Sequence, residues 1–207
     1  MGDHMRFKIA ATAVLLPLLA GCGSTSTSSP IAPTVEPATT AESSAAATPG
    51  AGSAGAKSSR GNLIKKVGEG ASVTDKGKTV ASFVVNSIQI DPKCTNEFAK
   101  PADNGHFVAL NVSMETDPAL VESVNPQFGL AGYAWKVVAD NGTTFNGDVM
   151  SVASFVCLND KERFPSALGP GEKATGTIIL DVPTPSGVLI HQQGFMPAGW
   201  EWAYPAK

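Results

Sequence analysis

The sequence predicts an all-β domain, a β-sandwich of about seven strands, preceded by a short apolar leader and a long linker. Three observations predict it. Apolar residues alternate with period two along several runs between residues 79 and 204, the pattern of strands that turn one face to a core. Turn signals separate the runs: Asp91-Pro92, Asn141-Gly142, Gly169-Pro170-Gly171 and Pro183-Thr184-Pro185. Helix signals are sparse, the one start being Asp117-Pro118, with Asp as cap and Pro in the first helical position.

Residues 1–21 read as a signal peptide. Arg6 and Lys8 make a small basic region, and Ile9–Ala20 is an apolar stretch of 12 residues interrupted by Pro17. A membrane-spanning helix needs about 20 apolar residues, so this stretch is a cleaved signal rather than a span. Met5 offers a second start behind Met1-Gly2-Asp3-His4. Leu19-Ala20-Gly21-Cys22 then resembles the lipobox of bacterial lipoproteins. That resemblance implies a diacylglycerol thioether (palmitate-type chains) on Cys22, hence a partner in the lipid bilayer and an address on the outer face of the cell membrane. Two or more acyl chains anchor stably where a single chain binds only marginally.

Residues 22–60 read as a disordered tether. Of the 38 residues from 23 to 60, 32 are Gly, Ser, Thr, Ala or Pro; the exceptions are Ile31, Val35, Glu36, Glu42, Lys57 and Arg60. So little apolar surface does not offset the entropy of ordering the chain. As a coil the stretch reaches roughly 30–40 Å, at about 5–6 Å times the square root of residue number.

Residues 61–207 are long enough for one domain with its own core. They carry 11 basic and 15 acidic side chains, a net charge of −4, with no basic run. Nucleic-acid binding needs clustered Lys and Arg, so no nucleic-acid partner is expected. The clearest strand is His106–Glu115, with Val108, Leu110, Val112 and Met114 on one face and Phe107, Ala109, Asn111 and Ser113 on the other. In Thr79–Ile90, Val84, Ile88 and Ile90 share one register and Phe83 and Val85 the other. Lys173–Val182 aligns Ala174, Gly176, Ile178, Leu180 and Val182. Trp135–Ala139 is short and apolar, and Asn141-Gly142 suits a two-residue hairpin leading to Thr143-Thr144-Phe145. Val188–Gln193 and Glu201–Tyr204 supply a last edge.

With Cys22 lipidated, Cys94 and Cys157 remain as an even pair in an oxidising compartment, where disulfides persist. A disulfide closing this loop contributes roughly 4 kcal/mol at most, and it would pin the body of the sandwich. The alternative is two separate buried thiols. No Cys-x-x-Cys spacing or zinc-ligand pattern is present, so no metal and no cofactor are expected. Of the histidines in the mature chain, His106 and His191, each is a lone strand residue, far more often packed than catalytic. No nucleophile elbow, P-loop or dinucleotide fingerprint occurs. Tyr133, Trp135, Trp200, Trp202 and Tyr204, with Phe195, either form an exposed binding face or close the open end of the core.

Trp135-Lys136-Val137-Val138-Ala139-Asp140-Asn141-Gly142-Thr143-Thr144-Phe145, then Leu168–Gly176, then Asp181-Val182-Pro183, resemble a lipoprotein domain of unknown function from Gram-positive, largely actinobacterial, species. That family is related to the mycobacterial immunoprotective extracellular antigens. The resemblance covers roughly residues 64–205 and implies an immunoglobulin-like sandwich; it brings no catalytic residues. The Ala-, Gly-, Thr- and Pro-rich composition fits a high-GC host or its phage. Cys94, Cys157 and the loops at 95–105 and 146–166 depart from the family pattern, so a special role falls there. The expected function is a membrane-anchored extracytoplasmic lipoprotein with a non-enzymatic binding module for an unidentified envelope protein or ligand. Two alternatives stay open: a phage or prophage superinfection-exclusion lipoprotein, and an envelope hydrolase with dispersed acidic residues.

Overall fold

The structure is a computed structural model that describes residues 34–37, 55–130, 132–194 and 196–205. The signal peptide, Cys22, most of the 22–60 linker and Phe195 lie outside the described residues. Among the described residues nine strands form two sheets. They are β1 (Thr34–Pro37), β2 (Leu63–Ile64), β3 (Gly70–Asp75), β4 (Lys78–Ile90), β5 (His106–Thr116), β6 (Trp135–Ala139), β7 (Lys173–Val182), β8 (Gly187–His191) and β9 (Trp200–Tyr204). One sheet has the order β1-β3-β4-β5-β7 and the other β2-β9-β8-β6. All neighbours are antiparallel except β2 and β9, which run parallel.

The expected all-β sandwich is therefore the fold, and its topology is immunoglobulin-like. β5 pairs with β7 in one sheet, while β8 lies between β6 and β9 in the other. Those are the B–E and C–F–G neighbours of an immunoglobulin sandwich. Between β6 and β7, where a further strand of such a sandwich would come, the chain runs as loops and a one-turn helix, α1 (Val152–Phe155). That helix was not foreseen. The start at Asp117-Pro118 is real but brief: a 3₁₀ turn over Pro118–Glu122, with the Asp117 side chain accepting from the Ala119 N–H.

Turn geometry and a bulge account for the departures in strand count and register. β3 is not predicted because its residues are mostly small or polar and buried along the whole strand, so they show no apolar alternation; two residues join it to β4. Lys76 and Gly77 both have positive φ (49° and 78°), as the tightest hairpin turns require. The Asn141-Gly142 hairpin is looser. Ala139 and Gly142 close a turn through the Gly142 N–H, only Gly142 has positive φ (83°), and Ala139 N–H reaches Thr143 O. Three residues, not two, make this loop, and its return leg is a single bridge between Val138 and Thr144. In β4 the register shifts between Val85 and Ser87. That bulge re-phases the strand, so Phe83 and Val85 point inward before it and Ile88 and Ile90 pack against the same core after it.

The linker boundary also moves. β1 lies within the stretch read as a disordered tether and pairs Thr34–Pro37 with Ala71–Thr74. Residues 55–60 belong to the folded body. Glu201 is almost completely buried, and a buried carboxylate needs compensation; Arg60 Nε and Nη2 donate to its two oxygens at 3.1 and 2.8 Å, and Ser58 Oγ donates at 3.0 Å. Lys57 and Arg60, two of the compositional exceptions, were the available signal.

The main core lies between the sheets. Val108, Leu110, Val112 and Met114 of β5 and Ile178, Leu180 and Val182 of β7 face it, as the alternation predicts. Opposite them stand the aromatics of the second sheet. Phe83 meets Trp200 edge-on at 4.8 Å and Trp202 at 6.3 Å; Trp135 lies 5.9 Å from Trp202.

Candidate functional site

The aromatic set does not form a binding face. Trp135, Trp200, Trp202 and Tyr204 are buried in the core, because they are the inward-facing positions of β6 and β9 and the gap between sheets needs large side chains to fill it. Tyr133 alone of the five is exposed, at 97%. His191 is fully buried against Trp135 and Trp200, with ring centroids at 4.9 and 6.0 Å. Neither of its ring nitrogens has a partner among the described residues. Burial alone lowers its pKa from 6.5 to about 3, so it is a neutral core residue at ordinary pH. His106 is partly exposed, and its Nδ1 lies 2.9 Å from Asp91 Oδ2. Asp91 adopts a positive φ of 46° and its other oxygen accepts the Phe107 N–H, so the pair closes the turn out of β4.

What the fold does expose is a layer of two loops over the outer face of β5 and β7. Cys94 and Cys157 are bonded, Sγ to Sγ at 2.06 Å, in the loops 91–105 and 140–172. The disulfide was expected to pin the body of the sandwich. It joins loop to loop instead, because both cysteines lie outside the strands. Beneath it Phe107, Ala109 and Ile179, the outward residues of β5 and β7, pack with Ala153, Cys157 and Leu158 into a second small core. Apolar residues at those strand positions are the sequence signal that this sheet face is covered rather than wet.

Asp181 holds the layer down. This carboxylate on β7 is fully buried and accepts from the Asp103 N–H at 2.8 Å, the Asn104 N–H at 2.9 Å and Ser151 Oγ at 2.6 Å. Ser151 in turn caps α1 by accepting the Ser154 N–H. One side chain thus fixes both loops at one end and the disulfide fixes them at the other. Near the disulfide, the Thr95 and Asn96 N–H groups donate to Cys157 O at 2.9 and 3.2 Å. Thr95 Oγ1 and Asn159 Nδ2 donate to Glu162, which holds that carboxyl below its usual range.

The outer surface of this layer is apolar in places. Phe98 is 70% exposed, Val152 68% and Phe155 58%. The Arg163 guanidinium lies 4.0 Å over the Phe155 ring, donates to Phe155 O and pairs with Asp160. Phe98, Val152, Phe155 and Asp181 are not among the site residues the sequence predicts, although the first three fall in the loops 95–105 and 146–166. No group of three or more His, Cys, Asp or Glu residues able to hold a metal occurs among the described residues.

No protein-family model matches the chain, and no curated protein matches it. Among solved structures it is similar to the 1.5 Å crystal structure of MPT63, a secreted protein from Mycobacterium tuberculosis. The two share 16% identity with a TM-score of 0.46, over 69% of this chain and 97% of that one. The fold assignment rests on the strand pairing given above.

Proposed function

We propose that this chain is an extracytoplasmic lipoprotein, anchored through acylated Cys22 to the outer face of the cell membrane, that presents a non-enzymatic immunoglobulin-like interaction module. The observation that carries the reading is the stapled loop pair: Phe98, Val152 and Phe155 are exposed on loops held by Cys94–Cys157 and by Asp181. Pre-organised loops lose less freedom when a partner binds. A disulfide also suits an oxidising compartment, which accords with the leader and the lipobox-like Leu19-Ala20-Gly21-Cys22. The partner is an envelope protein or ligand that accepts apolar side chains.

The test places a photo-crosslinker at Phe98 in the full chain expressed in a high-GC Gram-positive host, beside a metabolic fatty-acid label. One discrete adduct, weakened by Phe155→Ala, is expected, together with a lipid label abolished by Cys22→Ala. Hydrolysis of envelope glycans, esters or peptides by the purified chain, abolished by one point mutation, would replace the module with an enzyme.

A further inference from the structure

The free edge of β7 carries a gap in its hydrogen bonding. Thr177 N–H donates to Glu162 O and Thr177 O accepts from Phe164 N–H, so this residue's edge is occupied. Asp181 N–H donates to Val149 O. Ile179 lies midway between them. In an antiparallel ladder, residues two apart point their backbone groups the same way, and the pairs Asn111–Thr177, Ala109–Ile179 and Phe107–Asp181 are in phase. The Ile179 N–H and C=O therefore face outward, away from β5. No hydrogen bond to either group is formed by the described residues, although Ile179 is only 5% exposed. Unpaired backbone groups on a buried residue are rare.

These groups open into a cavity of about 400 Å³ whose walls include Met150, Ser154, Phe155, Arg163, Phe164 and Ser166. Gly176 helps to shape it: a Cβ there would lie 2.7 Å from the Phe164 backbone, so only glycine lets that segment close on β7. From Thr177 to Asp181 the edge measures about 13 Å, at about 3.3 Å per residue. Between the Phe164 N–H on Thr177 O and the Val149 carbonyl on the Asp181 N–H there is length for one residue of a strand.

We propose that this groove is a peptide-binding site that takes one extended residue, whose N–H and C=O pair with those of Ile179 and whose apolar side chain lies against Phe155 and Phe164. The occupant is a polypeptide segment because a peptide unit offers the matching donor and acceptor at strand spacing. This deepens the interaction-module reading and rests on it.

The probe is N-acetyl-leucine N-methylamide, a single residue flanked by two amides, titrated into the full-length isotope-labelled protein and followed by amide NMR. A downfield shift of the Ile179 N–H, saturating near a Kd of about 1 mM, as suits so small a ligand, is expected. The analogue methylated on the leucine nitrogen lacks the donor, and its shift at Ile179 is expected to be absent. Ser166→Trp fills the groove from an exposed position and is expected to abolish the response while leaving the thermal midpoint unchanged. No response at tenfold higher probe, equal responses to both probes, or full binding by the folded Ser166→Trp variant overturns the proposal; a response limited to displaced water, with no saturation, does so too. Should the probe fail while the Phe98 adduct persists, the groove proposal falls and the interaction module stands.

Discussion

Asp181→Ala is the most informative perturbation of the loop layer. The carboxylate is fully buried and receives three hydrogen bonds, from two backbone N–H groups and one hydroxyl. Hydrogen bonds to a charged group contribute about 1.5–3 kcal/mol each, so three would sum to about 5–9 kcal/mol. That sum overstates the loss, because removing the carboxylate also removes its desolvation cost. Against that relief, Ala leaves the Asp103 and Asn104 N–H groups without their acceptor in a partly buried place. The net expectation is a loss of about 3–4 kcal/mol, within the range for breaking a buried charged network. Urea unfolding measures it at constant m-value, and amide exchange locates it. The Asp103, Asn104 and Ser154 amides should lose protection while those of β4 and β5 keep theirs. Asp181→Asn keeps the shape but turns an NH₂ toward N–H donors, so it should recover less than half of the loss. A change below about 1 kcal/mol in Asp181→Ala, with loop protection intact, would refute the idea that this carboxylate anchors the layer.

His191 gives a pH dependence with a defined sign. Its folded pKa is lowered from 6.5 to about 3, so the unfolded chain takes up the proton first as pH falls. Its stabilising contribution is complete above pH 6.5 and is lost progressively down to about pH 3. At pH 5 the loss is about 2 kcal/mol relative to pH 8, read as the difference between wild type and His191→Phe in paired urea titrations; parallel pH profiles would contradict it. Replacing Cys94 and Cys157 together by Ala should cost about 2–4 kcal/mol, and reduction of the wild type should add two hydrogens by mass spectrometry. Trp200→Ala should cost about 3–5 kcal/mol, as for a large core aromatic, while Tyr133→Ala should stay within about 0.5 kcal/mol; similar losses at both would deny the buried and exposed placements.

Much of the sandwich is local information. The alternation in His106–Glu115 and Lys173–Val182 reports which side chains face the core, because a strand's period is two whatever its neighbours do. The cysteine pair was legible from the count of cysteines rather than from local pattern. In Thr79–Ile90 the alternation was equally visible but misleading. Two registers were present, and only pairing with β5 reveals the bulge at Asn86 that turns both toward one core. The aromatic tail was ambiguous for a related reason: Trp and Tyr supply both cores and interfaces, and spacing alone does not say which face a neighbouring sheet will cover.

The sequence by itself determined the faces of β5 and β7 and most of the turns, since each depends on residues near one another in the chain, and its cysteine count marked Cys94 and Cys157 as a pair. Tertiary structure decided what those features are for. Asp181 meets Asp103 and Asn104 across 78 and 77 residues and Ser151 across 30, and nothing in its sequence neighbourhood marks it as an anchor. The disulfide staples loops rather than sheets because loop paths follow from packing over Phe107, Ala109 and Ile179. The gap at Ile179 exists only because two remote segments cover the edge on either side of it. Hydrogen bonding and burial at such places are set by contacts distant in sequence, which no local pattern encodes.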